Sequence, residues 1–258
     1  MDLGLKGRVA LVTGSYRGTG AGIARRLAEE GAEVVVHGFT KGQTDELVNE
    51  LKDSGKEASG LELDPRGLSK NEFLRGIPEI DILINNYGTP AGSDWKSMES
   101  WDSEWEENVM IAVSFTQAVI GGMKLREWGR ILFIGTVGIN QPSSHSPGYY
   151  GSKASLEPIM RSLAIELRLS GITVNMLNPG LIATSEVKEM IEKRAAKEGI
   201  VGDWEELVEW ATTKFMPNLT GGISSPESIG DVVAFLVSER ASQINGAVIP
   251  VDGGWLYA

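Results

Sequence analysis

The chain has 258 residues, with 24 Lys and Arg against 35 Asp and Glu, which gives a net charge of −11 at neutral pH. Its 32 glycines exceed average usage and indicate many tight turns and close backbone approaches rather than a coiled coil or a helical bundle. Hydrophobic residues at 41% and charged residues at 23% are typical of a globular chain that buries a core. The acidic balance argues against nucleic acid and against an anionic membrane surface as partners.

The chain contains no cysteine, which excludes disulfides, thiolate catalysis and cysteine-ligated metal and is compatible with a reducing, cytoplasmic location. His37 and His145 lie far apart in sequence, so no metal site is predicted. The first residues lack the basic segment and apolar stretch of a signal peptide. The longest uncharged run, residues 131–152, contains Asn, Gln, Pro and several Ser, so no membrane-spanning segment is predicted.

Short apolar, β-branched runs alternate with segments of helical periodicity between residues 8 and 177, which is typical of repeated βα units over a parallel sheet. The predicted strands are residues 8–13, 33–37, 58–63, 80–84, 130–134, 172–176 and 247–251, and the predicted helices are residues 18–30, 43–54, 69–75, 100–126, 148–169 and 226–238. Runs such as VALVT and DILIN are apolar on both faces, as expected when helices cover both sides of the sheet. We therefore expect a single α/β domain over residues 1–258, with a doubly wound, mainly parallel sheet of seven strands.

The segment 185–222 departs from this alternation, because it is long, helical and rich in charge. Within it, Trp204, Leu207, Val208 and Ala211 fall on one helical face. Such a stripe is consistent with core packing, with an oligomer contact, or with a surface that covers an apolar substrate.

A glycine-rich turn, TGSYRGTG at residues 13–20, follows the first predicted strand and leads into a helix. Glycines at a strand-to-helix turn let the backbone approach a pyrophosphate, and the amides at the positive end of the helix attract its charge. The spacing is GxxxGxG and not the common GxGxxG, and a tight turn without a ligand is the alternative. The position directly after the first strand favours phosphate binding.

Tyr149 and Lys153 lie one helical turn apart on the same face, where an ammonium group can stabilise a phenolate. Chance alone produces such a pair in a noticeable fraction of chains of this composition, so the pair is weak evidence by itself. Tyr149 is nevertheless the only tyrosine followed by a lysine four residues later. It is therefore the candidate acid/base.

The order and spacing of several motifs resemble the short-chain dehydrogenase/reductase family along essentially the whole chain. These motifs are TGSYRGTG at 13–20, Asp64, NNYG at 85–88, Asn108, Tyr149 with Lys153, NPGLIAT at 178–184 and VDGG at 251–254. The resemblance implies a Rossmann-type fold, a homotetramer and an NAD(P)-dependent oxidoreductase acting on a small-molecule carbonyl or secondary alcohol. It also implies that the segment at about 185–222 is a helical, mobile lid over the substrate. The leading expectation is ketone reduction, as in the 3-oxoacyl carrier-protein reductase branch. Sugar or polyol dehydrogenases, steroid-type reductases and a dinucleotide-binding regulatory protein with little turnover are the alternatives.

The catalytic residues that the resemblance implies are Asn108, Thr136, Tyr149 and Lys153. Tyr149 would give a proton to the carbonyl oxygen, Lys153 would favour the phenolate and bind the ribose, and Asn108 would hold a water that passes protons to Lys153. Thr136 stands where the family has a serine, thirteen residues before its tyrosine, and would hydrogen-bond the substrate oxygen. Threonine keeps the hydroxyl and adds a methyl group. The alternatives are a catalytically impaired protein or a role for the hydroxyl of Ser144.

Gly38 directly follows the second predicted strand, where NAD-selective enzymes place a carboxylate that would repel a 2′-phosphate. The nearby cations of Arg17 and Lys41 and the hydroxyl of Thr40 favour NADP, with NAD or dual use as the alternative. Phe39 replaces the arginine of many NADP-selective relatives, and Tyr87 replaces the small alanine of the family's NNAG motif. The predicted cofactor-binding residues are Gly14, Ser15, Tyr16, Arg17, Gly18, Thr19, Gly20, Gly38, Phe39, Thr40, Asp64, Asn86, Tyr87, Gly88, Tyr149, Lys153, Pro179, Gly180, Ile182 and Thr184.

Overall fold

The computed structural model describes residues 2–90 and 92–258, so Met1 and Ala91 of the predicted domain lie outside the described residues. The described residues form seven strands: β1 (Val9–Val12), β2 (Glu33–Gly38), β3 (Ala58–Glu62), β4 (Ile82–Asn85), β5 (Gly129–Ile134), β6 (Ile172–Pro179) and β7 (Val248–Val251). The strands lie in the order β3-β2-β1-β4-β5-β6-β7, and every neighbouring pair is parallel. The predicted α/β sheet of seven strands is therefore confirmed.

Helices cover both faces of this sheet, as the two-sided apolar strands predict. They are α1 (Gly18–Glu29), α2 (Asp45–Asp53), α3 (Lys70–Gly76), α4 (Met98–Trp105), α5 (Ile111–Leu125), α6 (Pro147–Glu166), α7 (Ser185–Lys197), α8 (Trp204–Trp210) and α9 (Pro226–Leu236). In β1, Ala10 and Val12 belong to a core shared with α1, α2 and α9, whereas Leu11 belongs to a second core shared with α3, α5 and α6. Because successive side chains of a strand point to opposite faces, each face of the sheet has its own hydrophobic core.

The predicted single helix at residues 100–126 is wrong in one respect. The chain is helical from Met98 to Leu125, but a π-helical turn at Glu106–Met110 separates α4 from α5. A π turn adds a residue to one turn of a helix and is frequent at functional sites. Here it contains Asn108, one of the predicted catalytic residues.

Among the described residues, this continuous helical stretch of 28 residues is the one that could cross a membrane by length and composition alone. Core helices of soluble proteins meet the same criterion. Phe115, Val119 and Met123 of α5 are buried against the sheet, which accounts for the apolar composition.

Starting from β1, the chain adds β2 and β3 on one side of the sheet and then β4 to β7 on the other side. The switch point of the topology therefore lies between the neighbouring strands β1 and β4. In open α/β sheets, ligands bind in the crevice at the carboxyl ends of the strands at such a switch point. Gly14 follows β1 with a φ of +63°, a left-handed conformation that favours glycine, and starts the glycine-rich turn there. The topology therefore places residues 13–20 and 85–88 at the same edge of the sheet.

The segment 185–222 contains α7, α8 and a second π turn at Ala211–Phe215. Ile191 and Ala195 of α7 are buried against Leu207 and Ala211, in a small hydrophobic cluster separate from the two main cores. For Leu207 and Ala211, the structure therefore favours core packing over a surface that faces the substrate.

Candidate active site

A cleft of about 400 Å³ lies at the carboxyl ends of the central strands. The predicted site residues that line it are Gly14, Tyr16, Arg17, Gly18, Thr19, Gly20, Asn86, Tyr87, Gly88, Thr136, Tyr149, Lys153, Pro179, Gly180, Ile182 and Thr184. In the part of the chain that the structure describes, the predicted residues Ser15, Gly38, Phe39, Thr40, Asp64 and Asn108 are not among the lining residues. The cleft therefore joins the glycine-rich turn to the candidate catalytic side chains but stops short of the ends of β2 and β3.

The glycine-rich turn has the geometry of an anion site. A Cβ atom at Gly20 would lie 2.7 Å from the Cα of Ser15 and 2.8 Å from the carbonyl oxygen of Gly14, so no side chain fits there. Helix α1 begins at Gly18, and within the described residues its first turn has neither a side-chain capping bond from Arg17 nor an acidic residue. Its first amides are thus available to a ligand, and together with the helix dipole they suit the pyrophosphate of a dinucleotide.

His37, which the sequence analysis did not assign to the site, holds this turn in place. Its Nδ1 accepts a hydrogen bond from the backbone amide of Gly14 at 3.0 Å, and its Nε2 lies 2.8 Å from the carbonyl oxygen of Leu63. An amide only donates and a carbonyl only accepts, so the two contacts together require the neutral ring with its proton on Nε2. Burial lowers the pKa of His37 to about 4, which keeps this tautomer neutral at physiological pH.

Tyr149 and Lys153 both reach the cleft from the first half of α6. Burial, followed by the influence of Tyr150 and Glu104, raises the pKa of the Tyr149 phenol to about 12, so the phenol is protonated at neutral pH. Lys153 is buried and donates a hydrogen bond from Nζ to the carbonyl oxygen of Ile134 at 3.0 Å. Burial lowers its pKa to about 8, so the ammonium still carries its charge for most of the time at pH 7.

Asn108 lies behind Lys153, in the π turn. Its Nδ2 donates to the carbonyl oxygen of Thr89 at 3.0 Å and to the carbonyl oxygen and Oε2 of Glu104 at 2.9 and 3.1 Å. Its Oδ1 is buried and has no hydrogen-bond partner among the described residues. A Cβ atom at Gly88 would lie 2.7 Å from this oxygen and would collide with Nζ of Lys153. Oδ1 of Asn108 and Nζ of Lys153 therefore face the same small space beside Gly88. A water bound there would satisfy Oδ1, which fits the predicted role of Asn108.

Thr136 follows β5 and lines the cleft. Its Oγ1 accepts a hydrogen bond from the backbone amide of Gly138 at 3.1 Å. Because this contact uses a lone pair of Oγ1, the hydroxyl proton remains available for donation to a substrate oxygen. The threonine thus offers the same type of contact that the family's serine is expected to make.

Two predicted cofactor residues have ion-pair partners that the sequence did not indicate. Arg17 donates from Nη1 to Oε1 of Glu186 at 2.7 Å, which links the glycine-rich turn to the first turn of α7. Asp64 accepts hydrogen bonds from Nε and Nη2 of Arg66 at 2.8 and 2.7 Å. Arg66 lowers the pKa of the Asp64 carboxyl, which is therefore ionised. The roles of Arg17 and Asp64 toward a cofactor stay predictions.

Comparison with known proteins agrees with this geometry. The family model described as "short chain dehydrogenase" matches residues 8–195. This chain belongs to the short-chain dehydrogenase/reductase family. The relatives it resembles include D-beta-hydroxybutyrate dehydrogenase of Cupriavidus necator, which is 32% identical over 98% of this chain and 99% of that protein. The 3-oxoacyl-[acyl-carrier-protein] reductase of Pseudomonas aeruginosa is 33% identical over 98% of both chains.

Among solved structures, this short-chain dehydrogenase/reductase resembles L-sorbose reductase from Gluconobacter frateurii, which was crystallised with NADPH and L-sorbose. The TM-score is 0.88 and the identity 31%, over the whole length of both chains. The predicted family, Rossmann-type fold and enzyme class are confirmed, and the protein is an NAD(P)-dependent oxidoreductase. Among the described residues, no group of three His, Asp or Glu side chains is arranged to hold a metal ion.

Proposed function

We propose that this protein reduces the ketone of a small molecule to a secondary alcohol with NADP(H), and also catalyses the reverse reaction. The observation that carries the proposal is that Thr136, Tyr149 and Lys153 line the same cleft as the uncapped glycine-rich turn. A hydride donor held along this turn and a carbonyl group beside Tyr149 would lie in the same cleft.

Each catalytic side chain has a separate task in this proposal. The bound dinucleotide supplies or accepts the hydride. Tyr149, protonated at neutral pH, donates its proton to the carbonyl oxygen, while the Thr136 hydroxyl holds that oxygen by a hydrogen bond. Lys153 stabilises the phenolate that remains and then passes a proton back to it, and a water on Oδ1 of Asn108 replaces the proton that Lys153 gave.

NADP is the proposed cofactor, with NAD as the alternative. The absence of a carboxylate at Gly38 supports this preference, because a carboxylate at the end of β2 would repel a 2′-phosphate. Thr40 and Lys41 follow in the same loop and offer a hydroxyl and a cation. The likeness to a reductase crystallised with NADPH supports the same choice.

The proposed substrate is a 3-oxoacyl group, and a sugar or polyol is the second candidate. Similarity to the reductase of Pseudomonas aeruginosa supports the first class. The likeness to L-sorbose reductase over the full chain supports the second. Steroid-type ketones remain a further alternative.

An absorbance assay of the nicotinamide tests the proposed function, with NADPH and NADH each offered 3-oxoacyl thioesters, keto sugars and simple ketones. We expect turnover with at least one of these classes and a higher kcat/KM with NADPH than with NADH. A higher kcat/KM with NADH would overturn the cofactor assignment. If neither cofactor were oxidised with any carbonyl compound, the regulatory alternative would replace the enzyme.

We also propose that the protein is a homotetramer in the cytoplasm, and that the segment 185–222 acts as a lid over the substrate. The ion pair between Arg17 and Glu186 supports the lid, because it joins this segment to the glycine-rich turn across the cleft.

The homotetramer is supported by the apolar residues Trp255 and Leu256, which are partly buried and which a neighbouring copy would bury more completely. Multi-angle light scattering at micromolar concentration is expected to give about four times the mass of one chain, and a monomer mass would contradict the assembly.

A further inference from the structure

Five side chains meet where the cleft ends, at the carboxyl ends of β2 and β3. We call them the Tyr87 cluster: Phe39, Asp64, Arg66, Tyr87 and Glu107. The phenol of Tyr87 donates a hydrogen bond to Oε2 of Glu107, and Nη1 of Arg66 donates to Oε1 of the same carboxylate. Arg66 also binds Asp64 through Nε and Nη2. The ring centroids of Tyr87 and Phe39 are 4.4 Å apart, and the Arg66 guanidinium lies 5.4 Å from the centre of the Phe39 ring.

The ring of Tyr87 is the wall at which the cleft stops. A Cβ atom at Gly14 would lie 2.9 Å from Cδ2 of Tyr87, so the ring packs directly on the glycine-rich turn. Tyr87 lines the cleft, whereas Phe39, which packs against the Tyr87 ring, does not line it in the described part of the chain, and neither do Gly38, Thr40 and Asp64. In a dinucleotide-binding fold, the ribose of the adenosine lies at the end of the second strand. The Tyr87 cluster therefore occupies the adenosine end of the binding site.

No base fits between the two rings as they stand. The ring centroids of Tyr87 and Phe39 are 4.4 Å apart, so the two rings are in direct contact. A base inserted between them would have to contact each ring in turn, and the present distance leaves no room for it. The contact is held from behind by the hydrogen bond from Tyr87 to Glu107, whose side chain also accepts a hydrogen bond from the Arg66 guanidinium. Charge-assisted hydrogen bonds such as the one from Arg66 are stronger than bonds between neutral groups. Burial and the bond to Glu107 raise the pKa of Tyr87 well above its ordinary value, so the phenol remains a donor throughout the physiological range.

We propose that Tyr87 determines the affinity of this enzyme for the adenosine half of its dinucleotide, because its ring, held by Glu107 and Arg66, must move aside before the adenosine can bind. The small residue of the family motif would leave this space open. The nicotinamide half meets no such obstacle, since the cleft on its side is already formed. The inference rests on the proposed use of NADP(H).

The test compares ligands that represent the whole dinucleotide and each of its halves. Dissociation constants of NADPH, of reduced nicotinamide mononucleotide and of adenosine 2′,5′-bisphosphate are measured by calorimetry on the full chain and on Tyr87→Ala. We expect Tyr87→Ala to bind NADPH and the bisphosphate at least about tenfold more tightly, because it removes both the hydrogen bond to Glu107 and the packing of the ring on Gly14 and Phe39. Binding of the mononucleotide is expected to stay within about twofold. If NADH is the preferred cofactor, NADH and adenosine monophosphate take the corresponding places.

Tyr87→Phe is the second variant, because it keeps the ring on Gly14 and removes only the bond to Glu107. It is expected to tighten NADPH binding by a smaller factor than Tyr87→Ala does. Because the ring stays in place, such tightening cannot come from unfolding of the site. Tyr257→Ala, a matched change at an exposed tyrosine outside the cleft, should leave all three constants unchanged.

Three results are informative. Weaker NADPH binding by Tyr87→Ala would identify the ring as a stacking platform and overturn the proposal. Equal tightening of both half-ligands would show that Tyr87 does not act at the adenosine end, and would overturn it too. Failure of the wild-type chain to bind either dinucleotide would instead contradict the proposed function, so the two failures are distinguishable.

Discussion

Tyr149→Phe is expected to lower kcat by about 10²- to 10⁴-fold, the usual contribution of a general acid, while the dissociation constant of NADPH changes by no more than about threefold. The phenol is the group that would protonate the carbonyl oxygen, and phenylalanine preserves the ring but has no proton to donate. Because burial raises the pKa of Tyr149 to about 12, the wild-type acid is fully protonated at the pH of an ordinary assay. Steady-state kinetics and calorimetry with NADPH measure the two effects separately.

Tyr150→Phe is the matched control for this experiment. Its ring lies 5.5 Å from that of Tyr149, on the next residue of α6, but Tyr150 does not line the cleft among the residues that the structure describes. We expect kcat of Tyr150→Phe to stay close to that of the wild type. Wild-type turnover by Tyr149→Phe would remove Tyr149 as the acid, whereas equal losses in both variants would indicate a general disturbance of α6.

The sheet was predictable because its signal is local. A run such as VALV in β1 is apolar on both faces whatever surrounds it, and such runs are typical of strands that helices cover on both sides. The π turn at Glu106–Met110 has no such signal, since its sequence, EENVM, contains no proline or glycine that would mark a change in the helix. Tertiary contacts, including those of Asn108 with Thr89, accompany the wider turn there.

The residues of the candidate site also differ in whether their contacts are local in sequence. Tyr149 and Lys153 were predictable because four residues of helix bring them to one face. Arg66 and Glu107 are 41 residues apart, and Arg17 and Glu186 are 169 residues apart, so their pairing depends on the fold. Charged residues with no motif around them are usually exposed, which is why Arg66 and Glu107 were not assigned to the site. The sequence signal that pointed to the Tyr87 cluster was Tyr87 itself, a large residue in place of the small one in the family's motif.

Thr136→Val is expected to lower kcat by about 10²-fold or more, the typical cost of removing one hydrogen-bond donor to the reacting oxygen. Valine keeps the branched shape of threonine, so the change removes the hydroxyl while the volume of the side chain is conserved. Thr136→Ser should retain activity, because serine can accept the bond from the Gly138 amide and still donate its own proton.

Valine leaves the Gly138 amide without its acceptor, so Thr136→Val also loses some stability. Thermal unfolding of both variants measures this loss of stability separately from the loss of activity. Steady-state kinetics with the best substrate measures the catalytic part. Normal turnover by a folded Thr136→Val would show that the Thr136 oxygen has no catalytic role, and the hydroxyl of Ser144 would then be the next to test.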